Sequence, residues 1–273
     1  MSTNQQLPKI ELPGIRNVLA VASGKGGVGK STVAVNLAVA LQMLGNKVGL
    51  LDADIYGPSI PLMLGIHGQI DQATTPLPLD RHGLKVMSMG FLVPPSKAIV
   101  WRGPMIHRAL TQFLTQLDWG NLDYLVIDLP PGTGDAQLTL TQTVPLTAAV
   151  VVTTPQEVSL IDARKGLEMF REVRVPVVGI IENMSYFVGD DNKRYEIFRS
   201  GGGRRLANDC AVPFLGEIPI DSKVAICGDE GFPIFAKHPD SVGGQVFGSL
   251  AKSISKELDA MPPHSSLPNL EIT

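Results

Sequence analysis

The stretch Gly24-Lys25-Gly26-Gly27-Val28-Gly29-Lys30-Ser31-Thr32 restricts what this chain can fold into more than any other. It fits the pattern G-x-x-x-x-G-K-[ST], with an apolar run from Val18 to Ala22 before it and a helical pattern from Val33 to Leu44 after it. Strand, glycine-rich turn and helix in that order make a cradle for polyphosphate. The glycines let the backbone curl so that successive N–H groups point inward, and the helix N-terminus adds partial positive charge to the same cavity. Lys30 is placed to neutralise the β- and γ-phosphates of a nucleotide, and the Ser31 hydroxyl to ligate a Mg²⁺ that bridges them. Lys25 is a second cation inside the loop that the pattern does not require. Lys30 repels it unless additional negative charge meets it.

At 273 residues with a net charge of −3, the chain is large enough for one α/β domain with a sizeable core. That charge gives no bulk pull toward nucleic acid. No apolar run approaches the roughly 20 residues needed to cross a bilayer. Met1 to Gln6 has neither the basic nor the apolar region of an export signal. The two cysteines, Cys210 and Cys227, suit a reducing compartment better than a disulfide framework. A cytoplasmic protein without membrane or nucleic-acid partners is expected. Residues 1–14 are expected to form a flexible tail with no separate domain before the first strand, 15–260 a single domain, and the proline-rich 261–273 a disordered tail.

Past the loop helix, which Gly45-Asn46 ends, Lys47 to Leu51 reads as a short buried strand that delivers Asp52-Ala53-Asp54 to its carboxyl end. Side chains alternate along a strand, so the two carboxylates point differently. One can face a metal and its waters while the other faces an attacking water, or both can cap the next turn. Asp123 to Asp128 is an apolar strand ending in an acid, and Asp128 is expected to hold Mg²⁺ through water. Further strands are expected at Leu84 to Met89, Ala148 to Thr153, Val177 to Ile181 and Pro213 to Ile218. Helices are expected from Pro104 to Leu117, Glu157 to Arg171, Arg204 to Ala211 and Val242 to Leu258, and Gln69 to Gly83 reads as a surface loop. Such alternation gives an α/β fold, a mostly parallel central sheet flanked by helices on both faces. In the last helix Lys252 and Lys256 are balanced by Glu257 and Asp259, which suits core packing rather than a membrane surface. The histidines His67, His82, His107, His238 and His264 are scattered, and no G-x-S-x-G elbow is present, so no second catalytic centre is expected.

Lys25 to Thr32, K-G-G-V-G-K-S-T, resembles the deviant Walker A motif of the MinD, ParA, ArsA and nitrogenase-iron-protein group of P-loop ATPases. D-A-D-I-Y-G-P-S at Asp52 to Ser59, W-R-G-P-M at 101–105, N-M-S-Y-F at Asn183 to Phe187 and the block from Ser200 to Arg205 are similar to the Mrp/ApbC branch, whose members carry iron-sulfur clusters. The resemblance runs from the loop to about residue 240. It implies a slow Mg²⁺-dependent ATPase that works as a homodimer bridged by nucleotide, with Lys25 reaching the partner's ATP. It further implies that Asp54 orients the attacking water, that Asp52 belongs to the outer shell of the metal, and that Leu129 to Asp135 is a switch reporting the nucleotide state. Asn183 is the implied reader of the adenine edge, a task its paired donor and acceptor suit, with Pro219-Ile220-Asp221 as the second wall. An asparagine at a strand end is also a common turn former. Arg102 has equal claims as a phosphate or partner contact and as a surface arginine.

In many Mrp/ApbC-type carriers a C-x-x-C follows N-M-S-Y-F and supplies thiolates for a cluster shared across the dimer. Here Tyr186-Phe187-Val188-Gly189-Asp190-Asp191-Asn192-Lys193-Arg194-Tyr195 contains no cysteine. Thiolates are the usual protein ligands of such clusters. Cys210 is expected to be a buried structural thiol at a helix end. Cys227, before Gly228 in a loop-like setting, is the remaining candidate ligand for an iron-sulfur cluster. ATP binding and hydrolysis thus rest on motifs that are present, while assembly or delivery of clusters to scaffold or client apoproteins is implied by the resemblance. The alternatives are a ParA- or MinD-like positioning or scaffold ATPase that carries no cluster, and a heterodimer with a cysteine-containing relative.

Overall fold

The computed structural model describes residues 10–67, 77–92 and 103–261. The central strand β1 (Ile15–Ser23) sends Val18, Ala20 and Ala22 into one hydrophobic layer and Leu19 and Val21 into the other. Both sets are buried, so the strand lies inside a sheet covered on its two faces. Helix α1 (Lys30–Met43) follows, buried at every position from Val33 to Leu41. A helix apolar all round must be enclosed, and this one lies between the sheet and the last helix.

The remaining elements are, in order, β2 (Val48–Asp52), α2 (Ile60–Met63), β3 (Leu79–Arg81), β4 (Leu84–Ser88), α3 (Gly103–Thr115), β5 (Leu122–Asp128), α4 (Asp135–Thr143), β6 (Ala148–Thr153) and α5 (Glu157–Glu172). Then come β7 (Val177–Glu182), β8 (Phe187–Val188), β9 (Arg194–Tyr195), α6 (Gly202–Asp209), β10 (Phe214–Glu217), α7 (Ser222–Asp229), α8 (Ile234–Lys237) and α9 (Val242–Asp259). Eight strands form one sheet in the order β10-β7-β6-β1-β5-β2-β4-β3, parallel except at the β3–β4 edge. One layer beneath it gathers Phe113, Leu140, Leu160, Phe170 and Leu206 from α3, α4, α5 and α6, and the other gathers α1 with Ile234, Phe247, Leu250 and Ile254 from α8 and α9. The expected α/β architecture is what the chain adopts.

Register decides where the chemistry lies. Asp52 of β2 is the direct neighbour of Asp128 of β5, and Val21 of β1 is the neighbour of Asp128 on the other side. Both acids therefore end their strands at the carboxyl edge beside the loop that leaves β1, the edge at which open α/β sheets bind ligands.

Several local expectations need correction. The segment ending at Gly83 is not all loop: Leu79–Arg81 pairs antiparallel with β4 through His82 and Gly83, whose φ values of 51° and 74° make a left-handed two-residue turn. Strand β4 stops at Ser88, where Met89–Leu92 winds into a 3-10 turn. Helix α6 begins two residues before Arg204 and ends at Asp209, leaving Cys210 as its C-cap. Cys227 is not in a loop but in α7, at 2% exposure. Arg102 and the tail segments 1–9 and 262–273 lie outside the described residues.

Candidate functional site

The glycine loop is pressed into place from two sides. A Cβ on Gly24 would come within 2.1 Å of the Asp162 carbonyl carbon in α5, so only glycine permits that approach. At the other end Gly29 holds φ at 82° as the N-cap of α1, and a Cβ there would lie 2.2 Å from Nδ2 of Asn183. That amide nitrogen donates to the Val28 carbonyl at 2.8 Å. Ser23 Oγ donates to the Lys25 carbonyl at 2.9 Å, and the N–H of Gly132 donates to the Ser23 carbonyl at 3.0 Å, which ties the 129–135 segment to the loop's entrance. Lys25 is half-buried, and its ammonium has no hydrogen bond or ion pair among the described residues.

Lys30 occupies the first turn of α1 at 6% exposure, and its ammonium lies 2.7 Å from Asp128 Oδ1 and 3.5 Å from Asp54 Oδ2. Ser31 Oγ is 3.4 Å from the same nitrogen. Asp54 is fixed by the N–H groups of Tyr56 and Gly57, both donating to Oδ1. Ala53 N donates to the Asp128 carbonyl at 3.0 Å and so holds the two acidic segments side by side. Burial pushes the Asp128 carboxyl up, against the opposing pull of Lys30. Its Oδ2 is buried and has no hydrogen-bond partner among the described residues. The lone pairs of this one unpartnered oxygen suit a hard cation or its waters, and with the Ser31 hydroxyl it offers oxygen donors of the kind Mg²⁺ takes.

Asp52 departs from its expected place in the metal's outer shell. It is fully buried, with Oδ1 accepting from Asp54 N at 3.1 Å and Oδ2 accepting from Ser88 Oγ at 2.9 Å and Ile60 N at 3.3 Å. All three donors come from the protein, so Asp52 acts as a staple that joins β2, the start of α2 and the end of β4. Burial and the neighbouring Asp128 push its pKa up to about 8.

Beyond Gly29 and Thr32 the loop opens into a cavity of about 570 Å³. Asn183, Pro219 and Asp221 line it together, along with Ile197 and Phe198. The geometry divides the Asn183 amide: its nitrogen is engaged by Val28, which leaves the oxygen for a ligand. Asp221 is the N-cap of α7, with its carboxylate accepting from Lys223 N at 2.9 Å.

Glu182, the residue before Asn183, carries a role that sequence reasoning missed. At 0% exposure it accepts from Ser185 Oγ, from Gly201 N at 3.0 Å and from Gly203 N. It clasps the glycine-rich block against the end of β7. A buried carboxylate satisfied by three donors rigidifies the elements that supply them. The cysteines stand apart from all of this. Cys210 is 4% exposed, and burial pushes the Cys227 thiol up, away from the thiolate that metal binding needs.

The ParA family profile described as NUBPL iron-transfer P-loop NTPase matches residues 14–255. The iron-sulfur cluster carrier protein of Aquifex aeolicus is 53% identical over 255 residues, covering 92% of this chain and 70% of that protein. Among solved structures, the nucleotide-binding protein of Archaeoglobus fulgidus in complex with ADP superposes with a TM-score of 0.71 at 42% identity, over 81% of this chain and 88% of its own. The cell division ATPase MinD of Pyrococcus furiosus, with a TM-score of 0.66 at 22% identity over 88% of this chain and 99% of its own, shares the fold.

Proposed function

This chain belongs to the NUBPL iron-transfer P-loop NTPase family, and from that premise we propose that it is a Mg²⁺-dependent ATPase working as a homodimeric nucleotide switch in the delivery of iron-sulfur clusters to client apoproteins. The observation that carries the reading is the placing of Lys30 between Asp128 and Asp54, at the mouth of a glycine loop and at the carboxyl edge of the sheet. Within it, residues 15–260 act as one ATPase domain in the cytoplasm. No helix among the described residues is long and apolar enough to cross a membrane.

The chemistry divides among these side chains. Lys30 exchanges its carboxylate partners for the oxygens of the β- and γ-phosphates, which the inward N–H groups of the loop also receive. Ser31 and Asp128 are the residues to hold Mg²⁺, which when bound neutralises phosphate charge. Asp54, with one oxygen fixed by two backbone N–H groups, has the other available to orient the attacking water. Lys25, unpaired and half-buried within one subunit, supplies its charge to the nucleotide of the partner, as an arginine finger does. Turnover is slow because a switch depends on a long-lived ATP state.

Both cysteines are buried, so the cluster is cargo that the chain helps to move rather than a group held by its own thiolates. The test is cluster transfer from a loaded scaffold to an apo acceptor under anaerobic conditions, with phosphate release and mass recorded alongside. The expected result is Mg²⁺-dependent hydrolysis, an ATP-stabilised dimer and transfer that ATP accelerates, all lost in Lys30→Ala. A chain that neither hydrolyses ATP nor affects transfer refutes the proposal.

The burial of both cysteines also favours a second reading, a positioning ATPase that carries no cluster. Its test is ATP-dependent, salt-sensitive binding to DNA or to anionic vesicles. The burial of the apolar face of α9 against α1 argues against the vesicle form.

A further inference from the structure

The segment from Tyr186 to Gly203 stands where the sequence departs from the cysteine pattern, and its attachments are specific. At its start, Ile220 N donates to the Tyr186 carbonyl at 2.7 Å, and Phe187 bridges to Ile220, the middle residue of the wall Pro219 to Asp221. At its finish the N–H groups of Gly201 and Gly203 are held by Glu182, next to Asn183. Between these anchors β8 and β9 form a hairpin, and Arg194 lies over the Tyr186 ring at 4.0 Å. The chain then turns back at Arg199, whose φ is 67°. That path brings Ile197 and Phe198 over the cavity beyond the glycine loop.

Ile197 is 56% exposed and Phe198 is 36% exposed, although both line the cavity. Two apolar side chains half in water at the mouth of a mostly apolar recess are suited to a flat ring system that would remove them from solvent. We infer that Ile197 and Phe198 form the apolar roof of the nucleotide-base site, opposite Pro219, and so set the affinity for the base while the glycine loop sets that for the phosphates. The inference rests on the nucleotide reading above.

The experiment is calorimetric titration of the intact chain with Mg²⁺-ATP, Mg²⁺-ADP and Mg²⁺-tripolyphosphate, for wild type, Phe198→Leu and the double variant Ile197→Ser with Phe198→Ala. Thermal melting serves as the check on folding. The roof predicts that ATP and ADP weaken roughly tenfold or more in the double variant, the scale for losing one large buried apolar side chain. Tripolyphosphate binding should be unchanged, and Phe198→Leu should keep most of the nucleotide affinity. Equal ATP affinity in wild type and double variant overturns the roof, as does an equal loss for tripolyphosphate. Wild-type protein that binds tripolyphosphate but shows no preference for ATP overturns it as well. Wild-type protein that binds none of the three overturns the nucleotide reading itself.

Discussion

The side-chain nitrogen of Asn183 occupies the space that a Cβ on Gly29 would need, 2.2 Å from its ideal position. One residue follows a strand and the other caps a helix 154 positions earlier, and no side chain can be added at Gly29 unless the asparagine moves. Through its bond to the Val28 carbonyl, the asparagine shapes the glycine loop as well as the cavity beyond it.

Replacing Asn183 with Asp keeps the size and removes the donor, setting a carboxylate against the Val28 carbonyl. The expected result is weaker binding of ATP and of tripolyphosphate, by roughly tenfold, since a hydrogen bond is lost and a repulsion gained. A residue that contacted the base alone would spare tripolyphosphate. Titration with the two ligands distinguishes these roles.

Lys30→Ala leaves Asp128 buried without its cation. Breaking a buried pair from one side costs about 3–5 kcal/mol, so the variant should melt well below wild type in addition to losing nucleotide. Asp54→Asn removes a charge at a less enclosed position. It is expected to keep ATP binding while phosphate release falls by about a hundredfold or more, the range for loss of a group that positions the reacting water.

Asp52 makes stability depend on pH. Its folded pKa, pushed up to about 8, lies above the ordinary value of 3.8, so between these values the folded chain binds more protons than the unfolded one. Stability from this group is full at the acid end and declines as pH rises through the folded value. The denaturation midpoint of the nucleotide-free chain should therefore fall from pH 5 to pH 8.5, and Asp52→Asn should flatten the fall. A slope unaltered in the variant would assign the dependence elsewhere.

Glu182→Gln should loosen the glycine-rich block, because an amide offers one acceptor oxygen where the carboxylate receives Ser185, Gly201 and Gly203. The expected effect is about 1–3 kcal/mol of lost stability. Faster amide exchange should be concentrated at residues 200–206, with β1 and β5 unchanged.

The sheet was legible because its strands are unbroken apolar runs that end in acids or turns, and the glycine loop because its residues are contiguous. Short elements were hidden for physical reasons. Helix α7 has eight residues with only Cys227 buried, too little periodicity to announce a helix, although Asp221 ahead of it is a capping signal. In α4, Thr139, Thr141 and Thr143 weaken helix propensity, and the helix forms because Leu140 packs beneath the sheet. The role of Glu182 depends on donors nineteen and twenty-one residues away, and that of Asp52 on Ser88 across a strand pair. The strand pattern brought Asp52 and Asp128 to neighbouring strand ends. It could not say which protein donors would claim Asp52 first.

The β8–β9 hairpin is pinned at its two roots, while every side chain from Asp190 to Arg199 is exposed and none belongs to either layer of the core. Such a segment is an exchangeable cassette. Its interior can be rewritten, thiols included, at little cost to the sheet. The residues from Asp190 to Glu196 can therefore change the surface that the chain presents without disturbing either layer of its core.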